Sequence, residues 1–392
     1  MMSEWKMVRL GDIFDLQMGK TPDRNRPEYF NTNTNKWVSI ADISKAQKYI
    51  LETKECISDE AVKNSGIKQI PANTIIMSFK LSIGKTAITT EPMYSNEAIM
   101  AFLPNGKYEV DNNFFYHLFS NKNWSEGSNK AVKGVTLNKA TLTEVKIPLP
   151  PIDEQKHIAA MLDKCADIIA KRKQQLSALD DLIKARFVEM FGEVENNKYP
   201  VVRLGDYAKL QGGYAFKSKD FVDNGVPIVQ IGNVNQDYLD WDVINAVPEE
   251  YLEKYREFAL NEGDLVMAMT RPIIKSLDSI KIAKVSALDL PCLLNQRVGR
   301  FKVKDKLHPL FLEVLCKMED FKDYVEKMSG NSLQPNISSK QVEDYMIVLP
   351  PLSLQESFSY FVKKIDKTKS AIQKSLEKTQ LLFNSLMQEY FE

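Results

Sequence analysis

Histidine is scarce in this 392-residue chain: there are three, His117, His157 and His308, far apart from one another. That spacing writes no acid–base or metal-ligating cluster. Four cysteines, Cys56, Cys165, Cys292 and Cys316, form no close pair. A zinc site and a disulfide framework are therefore not expected, and a reducing cytoplasm is the expected setting. No G-x-G occurs, so a dinucleotide or methyl-donor fingerprint is missing. "GKT" stands at Gly19–Thr21 and Gly84–Thr86, but neither copy has the upstream glycine of a phosphate-cradling loop. No apolar run approaches the roughly 20 residues of a membrane span. The opening "MMSEWKMVRLGD" has no apolar core, so a signal peptide is not expected. Nor is there an excess of charge, with 52 basic and 52 acidic residues. Residues 1–150 hold 19 basic and 16 acidic residues, and 200–350 hold 19 and 22. A nucleic-acid function must therefore rest on local patches rather than on a global basic field. Asp42 with Glu52 and Lys54 suggests a nuclease-like carboxylate–lysine set only weakly, and reads as a solvated strand end.

What the chain does have is itself, twice. "IPLPPIDEQ" (Ile147–Gln155) returns as "IVLPPLSLQ" (Ile347–Gln355), 200 residues on (355 − 155). "VRLGD" occurs at Val8–Asp12 and at Val202–Asp206, each copy preceded in the same register by an aromatic, Trp5 or Tyr199. Between these, "VSIADI" (Val38–Ile43) is echoed by "VQIGNV" (Val229–Val234), and "NTIIMSF" (Asn73–Phe79) by "GDLVMAM" (Gly263–Met269). "SNEAIMAF" (Ser95–Phe102) is echoed by "LNQRVGRF" (Leu294–Phe301). The order is the same in both halves, which marks a tandem duplication. These short β-branched motifs, bounded by Gly, Pro, Asn and Asp, read as strands. Helices are expected over Phe114–Ser120 and Pro309–Val325. The fold class is α+β: two mixed α/β globules, residues 1–150 and 200–350.

After each double proline the period changes. Pro151 and Pro351 suit the first turn of a helix. Apolar residues then recur in a heptad register: Ile158, Leu162, Ile169, Leu176 and Ile183 in the first copy, and Phe358, Val362, Ile372, Leu376 and Phe383 in the second. Residues 151–192 and 351–392 are thus two helices of about 40 residues, roughly 60 Å each. Gly192 reads as the stop of the first, and 193–199 as the linker. A long helix with a narrow apolar seam needs a long partner. If a pseudo-twofold axis relates the halves, the two helices lie antiparallel as a coiled coil. The alternative is that each packs on its own globule. Arg172 falls in the register of Ile372, and Lys369 in that of Ile169, which hints at pairing between unlike copies.

The residues equipped to touch DNA lie in loops. "GKTPDRNRPEYF" carries Lys20, Thr21, Arg24, Asn25 and Arg26; "GGYAFKSKDF" carries Tyr214, Lys217, Ser218 and Lys219. "NKAVKGVTLNK" adds Lys130, Lys133, Thr136, Asn138 and Lys139; "MTRPIIK" adds Thr270, Arg271 and Lys275; "NQRVGRFKVK" adds Arg297, Arg300, Lys302 and Lys304. Arginine and lysine grip phosphates or the guanine edge, and asparagine reads adenine. Each loop alone also reads as ordinary polar surface. Their matching places in both halves give the set its weight.

These motifs in this order resemble the specificity subunit of type I restriction–modification systems. The resemblance rests on W-x-x-V-x-L-G-D (Trp5–Asp12), Gly19–Ile43, Gly212–Val234, Leu294–Phe301 and both "LPP…Q" junctions, and covers essentially the whole chain. It departs in reading "GKTP" where the family often has a second glycine. The resemblance implies two target recognition domains that read the halves of a bipartite, asymmetric DNA site. An antiparallel coiled coil would set their separation, near one helical turn or about 34 Å. It implies double-stranded DNA, two methyltransferase subunits and restriction subunits as partners, and no membrane. It implies no catalytic site, metal or cofactor in this chain, with S-adenosylmethionine, ATP and Mg²⁺ held by partners, whose active site flips the target base. With no net charge, weak DNA binding by the isolated subunit is expected. Two other readings stand beside this one: a protein-binding scaffold without sequence preference, and a stand-alone nuclease or methyltransferase.

Overall fold

Most of the repeated motifs become the same structural part in both halves. The computed structural model describes residues 5–80, 82–124, 137–192, 198–330 and 332–391. They fall into two compact units, Met1–Lys173 with Lys374–Glu392, and Gln174–Gln373. In the first, strand Lys6–Arg9 pairs antiparallel with Lys146–Leu149, setting Val8 opposite Ile147. In the second, Val201–Arg203 pairs with Met346–Val348, setting Val202 opposite Ile347. The motifs that open and close each half are therefore each other's hydrogen-bonded partners. Val8, Ile147 and Ile347 are buried beneath those ladders.

The motifs between them build matching sheets. The first unit has a five-stranded sheet in the order Phe14–Met18, Ile99–Pro104, Ile75–Ser78, Thr86–Thr89, Tyr49–Ile50. The second has a four-stranded sheet in the order Ala208–Gly212, Val298–Val303, Leu265–Ala268, Ile282–Lys284. Beside each lies a three-stranded sheet whose central strand, Asn35–Val38 or Val226–Val229, runs parallel to one neighbour and antiparallel to the other. The strands Ile75–Ser78, Thr86–Thr89 and Leu265–Ala268 are buried at every residue, so none is the half-exposed strand that an apolar–polar alternation would mark. Helix Asn112–Asn121 covers the first large sheet with Phe115 and Phe119, whose rings meet Phe14 edge to face, while Phe119 lies tilted against Phe102 and Phe114 packs edge to face on Phe115.

The two long helices run Ile152–Phe191 and Leu352–Phe391, each directly after its double proline. Gly192 takes the left-handed φ of 73° that a helix stop requires. Ile158, Leu162, Ile183, Phe358 and Val362 are buried. Ile169, Leu176, Ile372, Leu376 and Phe383 are half-buried. In the first unit Arg172 donates to the Ser375 carbonyl at 2.7 Å and to the Thr379 hydroxyl. In the second, Lys369 pairs with Asp180. Both polar breaks in the apolar seam thus have partners on the other long helix. The compact units divide inside these helices rather than near residue 150. The first turns of each helix pack on the globule preceding it, and the last turns of the other helix share that cluster.

Three expectations need correction. "VSIADI" is a strand only to Val38. Ser39 and Asp42 then form a reciprocal capping box and start helix Ile40–Lys45. Its echo stops at Val229, where Asn233 accepts from Gln230 N–H and donates to the Asp240 and Val243 carbonyls, folding the chain into turns. The helix expected over Pro309–Val325 is two, Pro309–Leu315 and Glu319–Ser329. Met318 is extended at ψ 152°, and Glu319 and Asp320 give the second helix an acidic first turn. Lys130, Lys133, Thr136 and linker residues 193–197 lie outside the described residues.

A charged cluster joins the first globule to its helix. Asp163 accepts from Lys48 Nζ at 2.6 and 2.7 Å, and its Oδ1 lies 2.7 Å from His117 Nε2. Burial alone would raise the Asp163 carboxyl, but the bonds to His117 and Lys48 outweigh it and hold the carboxyl below its ordinary range. A depressed folded value means that the contribution is present above the unfolded value, about 3.9, and is lost as pH falls through the folded one. Asp163→Asn is therefore expected to lower the melting temperature at neutral pH, with the gap to the natural chain closing below about pH 4. Thermal scans from pH 3 to 8 check this.

Candidate nucleic-acid interface

The loop after the first strand of each large sheet leaves at a glycine pressed against backbone. A Cβ on Gly19 would lie 2.2 Å from the Asn96 carbonyl oxygen, and one on Gly213 2.3 Å from the Asn295 carbonyl oxygen. Next to them, Lys20 N–H donates to Ser95 O at 2.8 Å and Tyr214 N–H to Leu294 O at 3.0 Å. Lys20 and Tyr214 thus hold equivalent places on equivalent scaffolds, with unlike side chains.

In the first unit the loop's polar residues are largely engaged within the protein. Arg24 makes a two-pronged bond to Glu55 at 2.7 and 2.9 Å, and its guanidinium lies 4.1 Å from the Phe30 ring centre and 4.9 Å from that of Trp37. The bond to Arg24 holds the Glu55 carboxyl below its usual range. Thr21 donates to Glu97, Lys20 to the Ser65 carbonyl, and Arg26 to the Tyr29 hydroxyl at 2.8 Å. Asn25 bonds Asp23 through both its backbone and its side-chain amide. Half of the Arg24 side chain is still exposed, so this loop presents a preset, stacked guanidinium rather than free basic arms.

The second unit presents rings. Tyr214 is 38% exposed and packs on Tyr255 at 4.3 Å between centroids, with Phe216 at 5.1 Å and Phe258 at 5.6 Å. Tyr251 extends the row beyond Tyr255, and Lys254 Nζ lies over both rings at 5.1 and 5.3 Å. The hydroxyl of Tyr255 at 3.5 Å raises the Tyr214 phenol above its ordinary value. Lys217 and Ser218 are exposed at the start of the short helical turn Ser218–Asp220. Tyr251, Lys254, Tyr255 and Phe258 escaped the sequence reading, although "YLEKYREF" carries an aromatic pair four residues apart.

Two candidates are engaged within the protein, Thr270 below the surface and Asn138 at an exposed helix cap. Thr270 is 2% exposed and its hydroxyl is taken by Asn336, because strand Leu265–Ala268 carries it beneath the surface. Asn138 caps helix Lys139–Glu144, accepting from Thr141 N–H at 2.9 Å. Arg300, on the strand "NQRVGRF", is also buried, donating to Asp264, Gln211 and two carbonyls. Arg271 and Lys275 stay exposed and line one open cavity of about 680 Å³ with Ser329, Gly330 and Ser332. Arg271 holds a left-handed φ of 49° and is pinned by its N–H to the Pro335 carbonyl at 2.8 Å.

Among the described residues no group of three or more His, Cys, Asp or Glu is placed to hold a metal ion. Burial pushes the Cys292 thiol up to about 12 and raises that of Cys316 as well, so neither is a ready thiolate. Among the described residues no helix is long and apolar enough to cross a membrane.

Comparison with known proteins extends the likeness over both halves. Among curated proteins, the chain is 29% identical to the type I restriction enzyme MjaVIII specificity subunit of Methanocaldococcus jannaschii, over 96% of this chain and 91% of that one. It is 25% identical to the MjaIX specificity subunit of the same organism, over 92% and 87%. Among solved structures, it shares its fold with the type I restriction–modification S subunit from M. genitalium, at TM-score 0.56 and 14% identity, covering 99% of this chain and 96% of that one. A chain from a structural study of complex assembly and conformational transition in a type I system gives TM-score 0.58 at 16% identity, covering 99% and 98%. The profile of the type I restriction modification DNA specificity domain matches residues 2–178 and again 196–381, once for each copy of the repeated scaffold, and the chain belongs to that family.

Proposed function

We propose that this chain is the non-catalytic DNA sequence-specificity subunit of a type I restriction–modification complex. Residues 1–150 and 200–350 are its two target recognition domains, each reading one half of a bipartite, asymmetric duplex site. Residues 151–192 and 351–392 pair as an antiparallel coiled coil with pseudo-twofold symmetry, joined through 193–199, and set the unread spacer. Two methyltransferase subunits dock on the repeated surfaces, and restriction subunits join through them. S-adenosylmethionine, ATP and Mg²⁺ are bound by those partners, in the cytoplasm.

The observation that carries the reading is a scaffold kept twice with different surface chemistry upon it. The glycine exit, the tied strand pair and the sheet order repeat, whereas Lys20 faces Tyr214 across the duplication and a caged Arg24 faces a tyrosine–lysine row. Duplicated readers with unlike contacts suit two different half-sites. The antiparallel pairing is supported by Arg172 meeting Ser375 and Thr379, and Asp180 meeting Lys369. Within the proposed contact set, Lys20, Thr21, Arg24, Asn25 and Arg26 serve the first half-site. Tyr214, Lys217, Ser218, Arg271 and Lys275 serve the second, with Tyr255 and Lys254 added.

Exchanging residues 200–350 for the corresponding segment of a divergent relative tests the division of labour. Methylated sites mapped in cells carrying the hybrid complex are expected to change in one half only. A change in both halves, or in neither, overturns the reading. Methylation or cleavage by the purified chain alone would favour a stand-alone enzyme. A reconstituted complex with no sequence preference would favour a scaffold.

A further inference from the structure

The glutamine that ends each "LPP…Q" repeat never reaches the surface. Gln155 is 1% exposed and Gln355 is fully buried. Each sits in the first turns of its long helix and bonds the same three backbone groups. Gln155 Oε1 accepts from Asp111 N–H at 2.9 Å, and its Nε2 donates to the Glu109 carbonyl at 3.2 Å and to the Pro150 carbonyl at 2.9 Å. Gln355 Oε1 accepts from His308 N–H at 2.8 Å, and its Nε2 donates to the Lys306 carbonyl at 3.1 Å and to the Pro350 carbonyl at 2.8 Å. Asp111 and His308 are the N-caps of the helices Asn112–Asn121 and Pro309–Leu315, which pack in the cores of their globules.

One side chain therefore fastens three segments: the closing strand, the loop entering a core helix, and the long helix. Apolar packing lets neighbouring elements slide and rotate, whereas a hydrogen bond is directional within a few tens of degrees. A buried amide with both ends satisfied holds one orientation, because rotation away from it leaves backbone groups unpaired out of water. The same arrangement has survived in both halves although the loops around it have diverged. We infer that Gln155 and Gln355 are positioning residues that fix the angle of each recognition domain on its helix, and so set how strictly the complex discriminates spacer length. The inference rests on the proposed reading of the chain as a two-part reader.

The test uses the full complex with its methyltransferase subunits. Methylation is measured on duplexes holding both half-sites at the native spacer and at spacers one or two base pairs longer or shorter, each pair adding about 3.4 Å. Gln155→Met and Gln355→Met keep side-chain length and remove the bonds. In either variant the preference for the native spacer is expected to fall about tenfold, the scale of one buried backbone group left unpaired. Base preference within each half-site is expected to hold, which a general loss of folding would not allow. If Met is not tolerated, Gln155→Asn and Gln355→Asn keep the amide one methylene short and carry the same prediction at smaller amplitude. Folded variants with unchanged spacer preference overturn the inference. Absence of any sequence preference in the natural complex would instead overturn the proposed function.

Discussion

Replacing Phe358 with alanine is expected to destabilise the chain by about 3–5 kcal/mol, the usual cost of emptying a buried phenylalanine site. Phe358 is fully buried. Its ring lies 5.5 Å from Phe187 and 5.4 Å from Phe191, both near edge to face, and those two rings in turn meet Phe311 at 5.0 Å. The four rings come from three separate segments: the end of the first long helix, a core helix of the second globule, and the start of the second long helix. Collapse into the vacated space would require those segments to shift together, and the Gln355 bonds oppose that, so most of the cavity persists. Tyr360, two residues on and 63% exposed, is the control: Tyr360→Ala is expected to stay within about 0.5 kcal/mol. Urea unfolding of both variants against the natural chain, with equal m-values required, checks the pair.

Gly213→Ala is the second large effect, with an expected loss of about 2–3 kcal/mol. The added Cβ would stand 2.3 Å from the Asn295 carbonyl oxygen and 2.4 Å from that of Leu294. Both are backbone atoms and cannot rotate away, so the loop itself must move. That displacement reaches Tyr214, whose N–H bonds Leu294 O, and a complex carrying this variant is expected to lose discrimination at one half-site while retaining it at the other. The neighbouring Gly212 makes the contrast. A Cβ there meets nothing within 4 Å, so Gly212→Ala is expected to cost less than about 0.5 kcal/mol. The first half already holds a side chain at the matching place, Met18, beside the crowded Gly19. The missing second glycine before "KTP" is therefore the dispensable one of the two. Melting of the two glycine variants, with methylation mapped by half-site, distinguishes the outcomes.

The repeated scaffold was legible because its signals are local. Double prolines followed by a heptad register announced helices that begin at Ile152 and Leu352, and Gly192 announced the stop. Where the reading slipped, a nearby side chain had overridden the strand pattern, through the Ser39–Asp42 capping box and the Asn233 turn bonds, or the backbone had broken the helix, at the extended Met318. The candidate site was less legible. Arg24 and Arg26 looked alike in sequence, yet one is clamped by a carboxylate 31 residues away and the other leans on the Tyr29 hydroxyl. Thr270 looked like a loop donor until Asn336, 66 residues on, took its hydroxyl.

By itself, the sequence determined that this chain is one design written twice, with two α+β globules, two long amphipathic helices, and glycine, proline and glutamine at matching joints. Those features depend on backbone preference and hydrophobic period, which act over a few residues. Only the tertiary structure decided which polar side chains remain available to a duplex. It also decided that Tyr214 belongs to a row with Tyr255 and Lys254, and that Gln155 and Gln355 are buried pins rather than surface residues. The Tyr214–Tyr255 pair and the bonds of Gln155 to Asp111 and of Gln355 to His308 join residues more than 40 positions apart, and a short stretch of sequence carries no record of the partner that folding will bring to it.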